Sequence, residues 1–441
     1  MDLTLQKALF GFARTLTEKT PRGGARFLDA AVRPLLALPV LSKNIHKRNQ
    51  RILAGLDRLD RVLILSDIHL GDAVMMQSLA TAVRDFFPLA GVHYAVSRSA
   101  APFLEGHPDV TRLWPLYTGS PLPSDADLQA VEDLLKRHPF DLVVNACPFF
   151  VPGRPLPRQG AVLDFMTHAP RIMRNEISPG EPNHFMFQAH LFLTQLLREK
   201  FTPVRQGEYR GGQLVLDDES VDRAASFLEG LRLEPHSKLV LVNPDTASPY
   251  TRPPVTFLQG LLRRLAVEEN IHLLVGEGHT DKGVGIRLWD SMPEAYRRKV
   301  SLVPASLPGT AYASLIDRMD AFVSGDTGPL HWAAARKVSR TGQRSFRNRT
   351  AVYSLFGATP ARMSGYDDHQ LGFLSASQDA PSRAFISEAP CRNITCLNKL
   401  HITCRNIRCF EGLSPLPVAV TVIRNLDADH PTEKNPYALI A

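Results

Sequence analysis

Two short stretches of this chain hold residues of the right kind to manage an anion and a proton. The first is Gly325-Asp326-Thr327-Gly328-Pro329-Leu330-His331. Residues 319–324 ahead of it read as a buried strand, and residues 330–336 behind it read as a helix. Asp326 or Thr327 suits the N-cap, and Pro329 suits the first helical turn, where its missing N–H costs nothing. The two glycines permit a tight strand-to-helix turn that leaves backbone amides and the positive end of the helix dipole facing outward. Such a turn binds a phosphate or diphosphate. An ordinary capped helix carries the same letters, so the string alone leaves both readings open. The second stretch is Asp67-Ile68-His69-Leu70-Gly71-Asp72, after the apolar run Val62–Ser66. Residues 73–86 follow at helical spacing, with Val74, Leu79, Val83 and Phe86 on one face. Asp72 falls where loop meets helix, facing whatever occupies the carboxyl ends of the strands. It is a candidate proton acceptor, although as an isolated residue it reads as an N-cap rather than a catalyst.

The elements that would position these groups alternate between strand and helix along most of the chain. Residues 91–96, 140–145, 239–243, 271–276 and 351–355 read as strands, and residues 126–137, 255–266 and 311–318 as helices. That alternation predicts parallel sheets covered on both faces, an α/β fold built from two Rossmann-like halves. The length of 441 residues supports two domains with sizeable cores. The expected divisions are a basic amphipathic arm over residues 1–58, one α/β domain over 59–205 and a second over 206–390. A cysteine cluster and a final helix capped by Ser414 then fill 391–441, the helix returning to brace the domains.

The apolar fraction of 44% and charged fraction of 22% suit a soluble globular chain. No apolar run reaches the length of a spanning helix, and Arg14 and Lys19 interrupt the N-terminal apolar stretch. The formal net charge is +7, and its location carries the meaning. Before Leu59 there are eleven basic residues against four acidic ones, so the arm holds the whole imbalance. A neutral body with a basic arm points to an anionic membrane surface rather than to nucleic acid. A helical cap packed on the first domain is the competing reading of the arm. Five unevenly placed cysteines argue for a reducing compartment. Four of them, Cys391, Cys396, Cys404 and Cys409, form two Cys-x4-Cys pairs that either hold a structural zinc or stand as separate thiols. The Asp-x-Asp at Asp125 and Asp127 precedes a helix and reads as capping, not as a metal pair. A proline-rich basic loop over 152–160 either lines an acceptor cleft or is plain surface.

Gly71-Asp72 after a first strand, Leu104-Glu105-Gly106-His107-Pro108-Asp109-Val110, the turn at 325–331 and Phe356-Gly357-Ala358-Thr359-Pro360 occur in the order and spacing of glycosyltransferase family 9. Over residues 60–425 the chain resembles these heptosyltransferases of the lipopolysaccharide inner core. The resemblance implies a GT-B fold, two Rossmann-like domains facing across a cleft. It implies an inverting, metal-independent transfer of a heptose-like sugar from a nucleotide diphosphate donor such as ADP-heptose to a lipid-linked saccharide. The expected place is the cytoplasmic face of the cytoplasmic membrane, with no cofactor required. Asp72 is then the base, with Gly71 and His69 on the acceptor side. The amides of Thr327, Gly328 and Leu330 cradle the diphosphate, and Asp326, Pro329 and His331 shape that turn. Ser248 and Arg252 lie in the loop that contacts the donor phosphates, and Glu277 and Asp281 lie near the ribose.

Two features depart from the family. The donor loop, Pro244–Pro254, lacks the usual lysine and offers Arg252 instead, which binds phosphate with different reach. A basic insertion, residues 336–349, follows the central helix. The lost lysine keeps a second class in play, a catalytically inactive nucleotide-sugar-binding relative serving as a membrane-associated assembly factor. A dinucleotide oxidoreductase is disfavoured, because no Gly-x-Gly-x-x-Gly follows an early strand.

Overall fold

The computed structural model describes residues 39–66, 70–117, 124–146, 161–164, 184–205, 211–339, 350–357, 359, 361–367, 381–388 and 408–428. The chain divides into two compact units, one ending at Gly212 and the other beginning at Gln213.

The first unit is built on a five-stranded sheet in the order β3-β2-β1-β4-β5. Its strands are β1 (Arg61–Leu65), β2 (Gly91–Ser97), β3 (Arg112–Tyr117), β4 (Leu142–Asn145) and β5 (Ala161–Asp164). Every pairing is parallel. Val62 to Leu65 are wholly buried, as a strand covered on both faces must be. The unit's helices are α1 (Pro39–Ala54), α2 (Leu70–Met75), α3 (Gln77–Phe86), α4 (Asp125–Arg137) and α5 (Phe185–Arg198).

The helix expected over 73–86 is therefore two helices, broken at Met76, and it begins earlier than its apolar spacing suggests. Before α4, Ser124 accepts from Asp127 N at 3.1 Å while Asp127 accepts from Ser124 N at 2.7 Å. This is a reciprocal capping box, so Asp127 does the capping work expected of it. Strand β3 went unread because it contains Pro115, which a strand tolerates at a sheet edge, where β3 lies. The Leu104–Val110 motif is scaffold. Asp109 accepts from Thr81 at 2.8 Å and from Arg205 at 3.4 Å, and His107 Nδ1 accepts from Asp109 N at 3.1 Å. Burial pushes the His107 imidazole down to about 4, against the pull of Asp109.

Of the basic arm, residues 1–38 lie outside the described residues. Helix α1 packs against β5 and α5, with Asn49 and Leu53 buried. Lys200 Nζ donates to Ala54 O at 2.9 Å, closing its end. For residues 39–54 the cap reading holds, and Lys47 and Arg51 are left on the exposed side.

The second unit has a six-stranded parallel sheet in the order β11-β10-β9-β6-β7-β8. Its strands are β6 (Lys238–Asn243), β7 (Ile271–Gly276), β8 (Val300–Val303), β9 (Ala321–Gly325), β10 (Ala351–Phe356) and β11 (Ser382–Ile386). Its helices are α6 (Asp218–Glu229), α7 (Val255–Val267), α8 (Val284–Asp290), α9 (Glu294–Arg297), α10 (Gly309–Ile316), α11 (Gly328–Ser339), α12 (Ala361–Ser364) and α13 (Pro415–Ala428).

Helix α13 follows Ser414, whose Oγ accepts from Leu416 N at 3.3 Å. It is part of the second unit's own core, laying Val418, Ala419, Val422 and Leu426 against α7 and β10. The Phe356–Gly357 turn packs on Cys409, whose carbonyl would be 2.8 Å from a Cβ at Gly357. Arg336, expected to open a basic loop, still belongs to α11. It is partly buried in an ion pair with Asp317 at 2.7 Å and also donates to the Leu214 carbonyl. No described helix is long and apolar enough to cross a membrane.

The tightest approach in this unit brings α8 onto the end of β7. A Cβ on Gly285 would stand 2.2 Å from Gly276 O and 2.8 Å from Glu277 Cα, and neither backbone atom can yield without moving the strand. Gly285→Ala is expected to destabilise the protein by more than about 3 kcal/mol, visible as a lowered Tm. An unchanged Tm would mean that the helix can back away from the strand at no cost.

Candidate functional site

In each sheet the strand order reverses once, and the candidate residues lie at the two reversals. In the first unit the chain runs from β1 through β2 to β3 at one edge, then returns to β4 and β5 on the other side. In the second it runs from β6 through β7 to β8, then returns to β9, β10 and β11. Crevices open at the carboxyl ends of the strands beside such a reversal, here β1/β4 and β6/β9.

Asp72 belongs to the segment that leaves β1. It stands in the first turn of α2, half-buried, and its carbonyl accepts from Met76 N at 2.8 Å. It is thus a residue of the helix itself rather than of the preceding loop, because the helix starts at Leu70. Gly71 is its half-buried neighbour, and His69 lies outside the described residues.

The central turn leaves β9, and its position depends on the loop after β6. A Cβ on Gly325 would meet Thr251 O at 2.6 Å, Pro253 Cδ at 3.1 Å and Thr246 Cγ2 at 3.2 Å. Only glycine lets the strand end press so close to that loop. Asn243 Nδ2 donates to Ser324 Oγ at 3.0 Å and joins the two strand ends. Within the loop, Thr246 Oγ1 donates to Ser248 O at 2.6 Å and Thr251 Oγ1 donates to Thr246 Oγ1 at 3.0 Å. Ser248 Oγ accepts from Tyr250 N at 3.3 Å. The structure therefore brings the loop after β6 against the central turn through Thr246, Thr251 and Pro253, and ties Ser248 into that loop.

Helix α11 begins at Gly328, as an N-cap at Thr327 would place it and two residues ahead of the run read as helix, with Pro329 in its first turn. The amides of Thr327 and Gly328 have no acceptor among the described residues. Leu330 drops out of the expected cradle, since its amide donates to Thr327 O at 3.0 Å. Both unengaged amides stand at the positive end of a 12-residue helix. His331 is buried, its Nδ1 2.9 Å from Tyr366 Oη and its Nε2 3.9 Å from Asp326 Oδ1.

Arg252 does not extend toward an anion. Its guanidinium pairs with Asp245 at 3.1 Å and with Asp281 at 3.2 Å, and it donates to Thr246 O at 2.8 Å. Asp281 is shared with Arg287 at 2.8 Å, so its carboxylate already carries two guanidinium partners. Glu277 spends Oε2 on Ala305 N at 2.9 Å. These expected donor contacts thus also hold loops together, and sequence reasoning missed the residue at the centre of the network, Asp245. Its carboxylate takes Thr280 N at 2.6 Å and Asp281 N at 3.2 Å besides Arg252. Also missed was Tyr312, whose hydroxyl is buried beside Gly276 without a hydrogen-bond partner among the described residues. Burial pushes that phenol well above its ordinary range. In sequence it is one more apolar-face residue of a helix. Cys409 is buried, and Cys391, Cys396 and Cys404 lie outside the described residues. Among the described residues no group of three or more His, Cys, Asp or Glu could hold a metal ion.

No protein-family profile matches the chain, and no curated protein matches it in sequence. Solved structures match it in fold. A glycosyl transferase family 9 protein from Veillonella parvula DSM 2008 aligns at 15% identity over 83% of this chain and 97% of that one, with a TM-score of 0.60. The E. coli ADP-heptose LPS heptosyltransferase II aligns at 14% identity over 83% and 98%, with a TM-score of 0.55. The E. coli heptosyltransferase WaaC with ADP aligns at 15% identity over 82% and 99%, with a TM-score of 0.51. The chain has the fold of these glycosyltransferases, with two parallel-sheet α/β units, as the motif resemblance implied.

Asp245 is 7% exposed in its pair with Arg252. Its removal leaves the Arg252 guanidinium with Asp281 as its one remaining carboxylate among the described residues and takes the acceptor from the amides of Thr280 and Asp281. Asp245→Ala is expected to cost about 3 kcal/mol in urea denaturation. A loss below about 1 kcal/mol would show that the donor loop keeps its place without this carboxylate.

Proposed function

We propose that the chain transfers a sugar from a nucleoside diphosphate donor to an acceptor hydroxyl. The observation that carries the reading is the pair of unengaged amides, Thr327 and Gly328, heading α11 at the β6/β9 reversal. In this reading they hold the donor diphosphate and stabilise the charge that develops on it as the glycosidic bond breaks, usually the larger catalytic term. Asp72 takes the proton of the acceptor hydroxyl, which contributes about 10²–10⁴-fold. The acceptor oxygen forms its bond to the anomeric carbon as the diphosphate departs with the bonding electrons, so the anomeric centre inverts. Amides and helix dipole supply the charge compensation, and the transfer needs no metal.

The fold shared with heptosyltransferases supports a heptose-like donor, and the ADP named with one of them supports an adenine nucleotide. For the acceptor we propose a lipid-linked saccharide such as lipopolysaccharide core, met at the inner face of the cytoplasmic membrane. The basic N-terminal segment and the outward Lys47 and Arg51 of α1 suit an anionic surface there. Cys391, Cys396, Cys404 and Cys409 are proposed as a structural zinc site separate from the chemistry.

One observation favours a second reading, a nucleotide-sugar-binding relative without turnover. The charge of Arg252, the nearest substitute for a phosphate-binding lysine, is taken up by Asp245 and Asp281. Turnover decides between them. Purified protein offered a panel of nucleotide sugars and acceptor saccharides should release nucleoside diphosphate from one donor class. Asp72→Asn should retain donor binding and lower that turnover by about 10²-fold or more. Full activity in the variant would remove Asp72 from the chemistry, and no turnover with any donor would favour the binding protein.

A further inference from the structure

The turn that heads α11 contains its own competitor for an anion site. Asp326 places a carboxylate directly before Thr327 and Gly328, where the helix end attracts negative charge. A carboxylate settled on those amides would exclude a diphosphate. His331 faces it from the next turn, with Nε2 3.9 Å from Asp326 Oδ1 and with side-chain exposures of 5% and 15%. The other ring nitrogen is occupied, Nδ1 lying 2.9 Å from Tyr366 Oη with the rings edge-on at 71°. Tyr366 follows α12 and is 1% exposed. Burial, and secondarily the charge of Asp326, push its phenol well above its usual range, so it keeps its proton. A phenol that donates to Nδ1 of a neutral imidazole leaves the ring proton on Nε2, the nitrogen that faces Asp326.

We propose that Tyr366 is a positioning residue for donor binding: its hydroxyl donates to His331 Nδ1, so that the Nε2–H dipole points at the Asp326 carboxylate across 3.9 Å, beyond hydrogen-bond distance, and draws it away from the amides of Thr327 and Gly328. This rests on the reading of the turn as the diphosphate site. It assigns Tyr366 an effect on donor affinity through His331 and Asp326, and it makes that effect conditional on a negative charge at 326.

The test is a double-mutant cycle read by calorimetric titration of ADP into the full chain. Tyr366→Phe keeps the buried ring and removes only the oxygen. It should weaken ADP binding about tenfold in the wild-type background and less than about twofold in Asp326→Asn, where no charge remains to be held. Equal losses in both backgrounds would make Tyr366 a packing residue, and no loss in either would make it a bystander. Both outcomes overturn the proposal while leaving the diphosphate site intact. Wild-type protein that binds no ADP would overturn the diphosphate reading and this inference with it. A second measurement needs neither a variant nor a ligand. The ¹⁵N shifts of His331 in the wild-type chain should place the proton on Nε2, and a proton on Nδ1 would overturn the assignment.

Discussion

At the end of β9 there is room for a hydrogen atom and little else. The Cα of Gly325 sits against the Thr251 carbonyl, Pro253 and Thr246, and the geometry of the second unit's site follows from that contact. Because the strand end presses onto the donor loop, the chain must turn at Asp326 and Thr327 and enter α11 at Gly328. That turn fixes which amides are left over. Leu330 is satisfied by Thr327, Pro329 has no N–H, and Thr327 and Gly328 remain. The proposed anion site would thus arise from close backbone packing at a strand reversal, with Asn243 and Ser324 tying the two strand ends there.

The charged groups around this turn bear on the same question. Arg252, Asp245, Asp281 and Arg287 form a chain of opposite charges in which each carboxylate meets a guanidinium. Such a network fixes loop geometry more than it attracts a ligand, since its charges already compensate one another. The attraction left for a diphosphate comes from backbone dipoles, which need no partner of their own. This division suits a site whose donor loop carries an arginine where a lysine is expected. The lysine would reach the donor as a mobile point charge, whereas Arg252 is better built to brace the loop from within.

Much of this was legible in the sequence, for identifiable reasons. Buried parallel strands are apolar on both faces, so β1 and β6 appear as unbroken apolar runs over 62–65 and 239–242, and β7 and β10 as apolar runs interrupted only by His272 and Ser354. The Ser124–Asp127 box is a local pattern with a local cause. Strand β3 was hidden by Pro115, and α5 by a histidine at its N-cap, His184, which accepts from Met186 N at 3.3 Å. Among the candidate residues, Asp72 in the first unit and the 325–331 turn in the second could each be found because a strand, a turn and a helix follow one another within a few residues. The partners of Arg252 and His331 could not. Asp281 and Tyr366 lie 29 and 35 residues away along the chain, and only the return of the chain to the carboxyl end of a neighbouring strand brings them in. The withdrawal of the Leu330 amide depended on a single turn of backbone, finer than residue types can specify.

The account stands on one claim, that backbone at the head of α11 receives a diphosphate. A side chain at Gly328 would occupy the space where a phosphate oxygen meets the amides. Position 328 opens the helix and is not among the glycines with positive φ, so a side chain there meets no left-handed backbone strain. The most direct measurement is calorimetric titration of ADP into wild-type protein and Gly328→Val. The account predicts saturable binding by the wild type and at least about tenfold weaker binding by a variant of unchanged thermal stability. Equal affinity in a folded variant would contradict it and would place the nucleotide elsewhere on the chain.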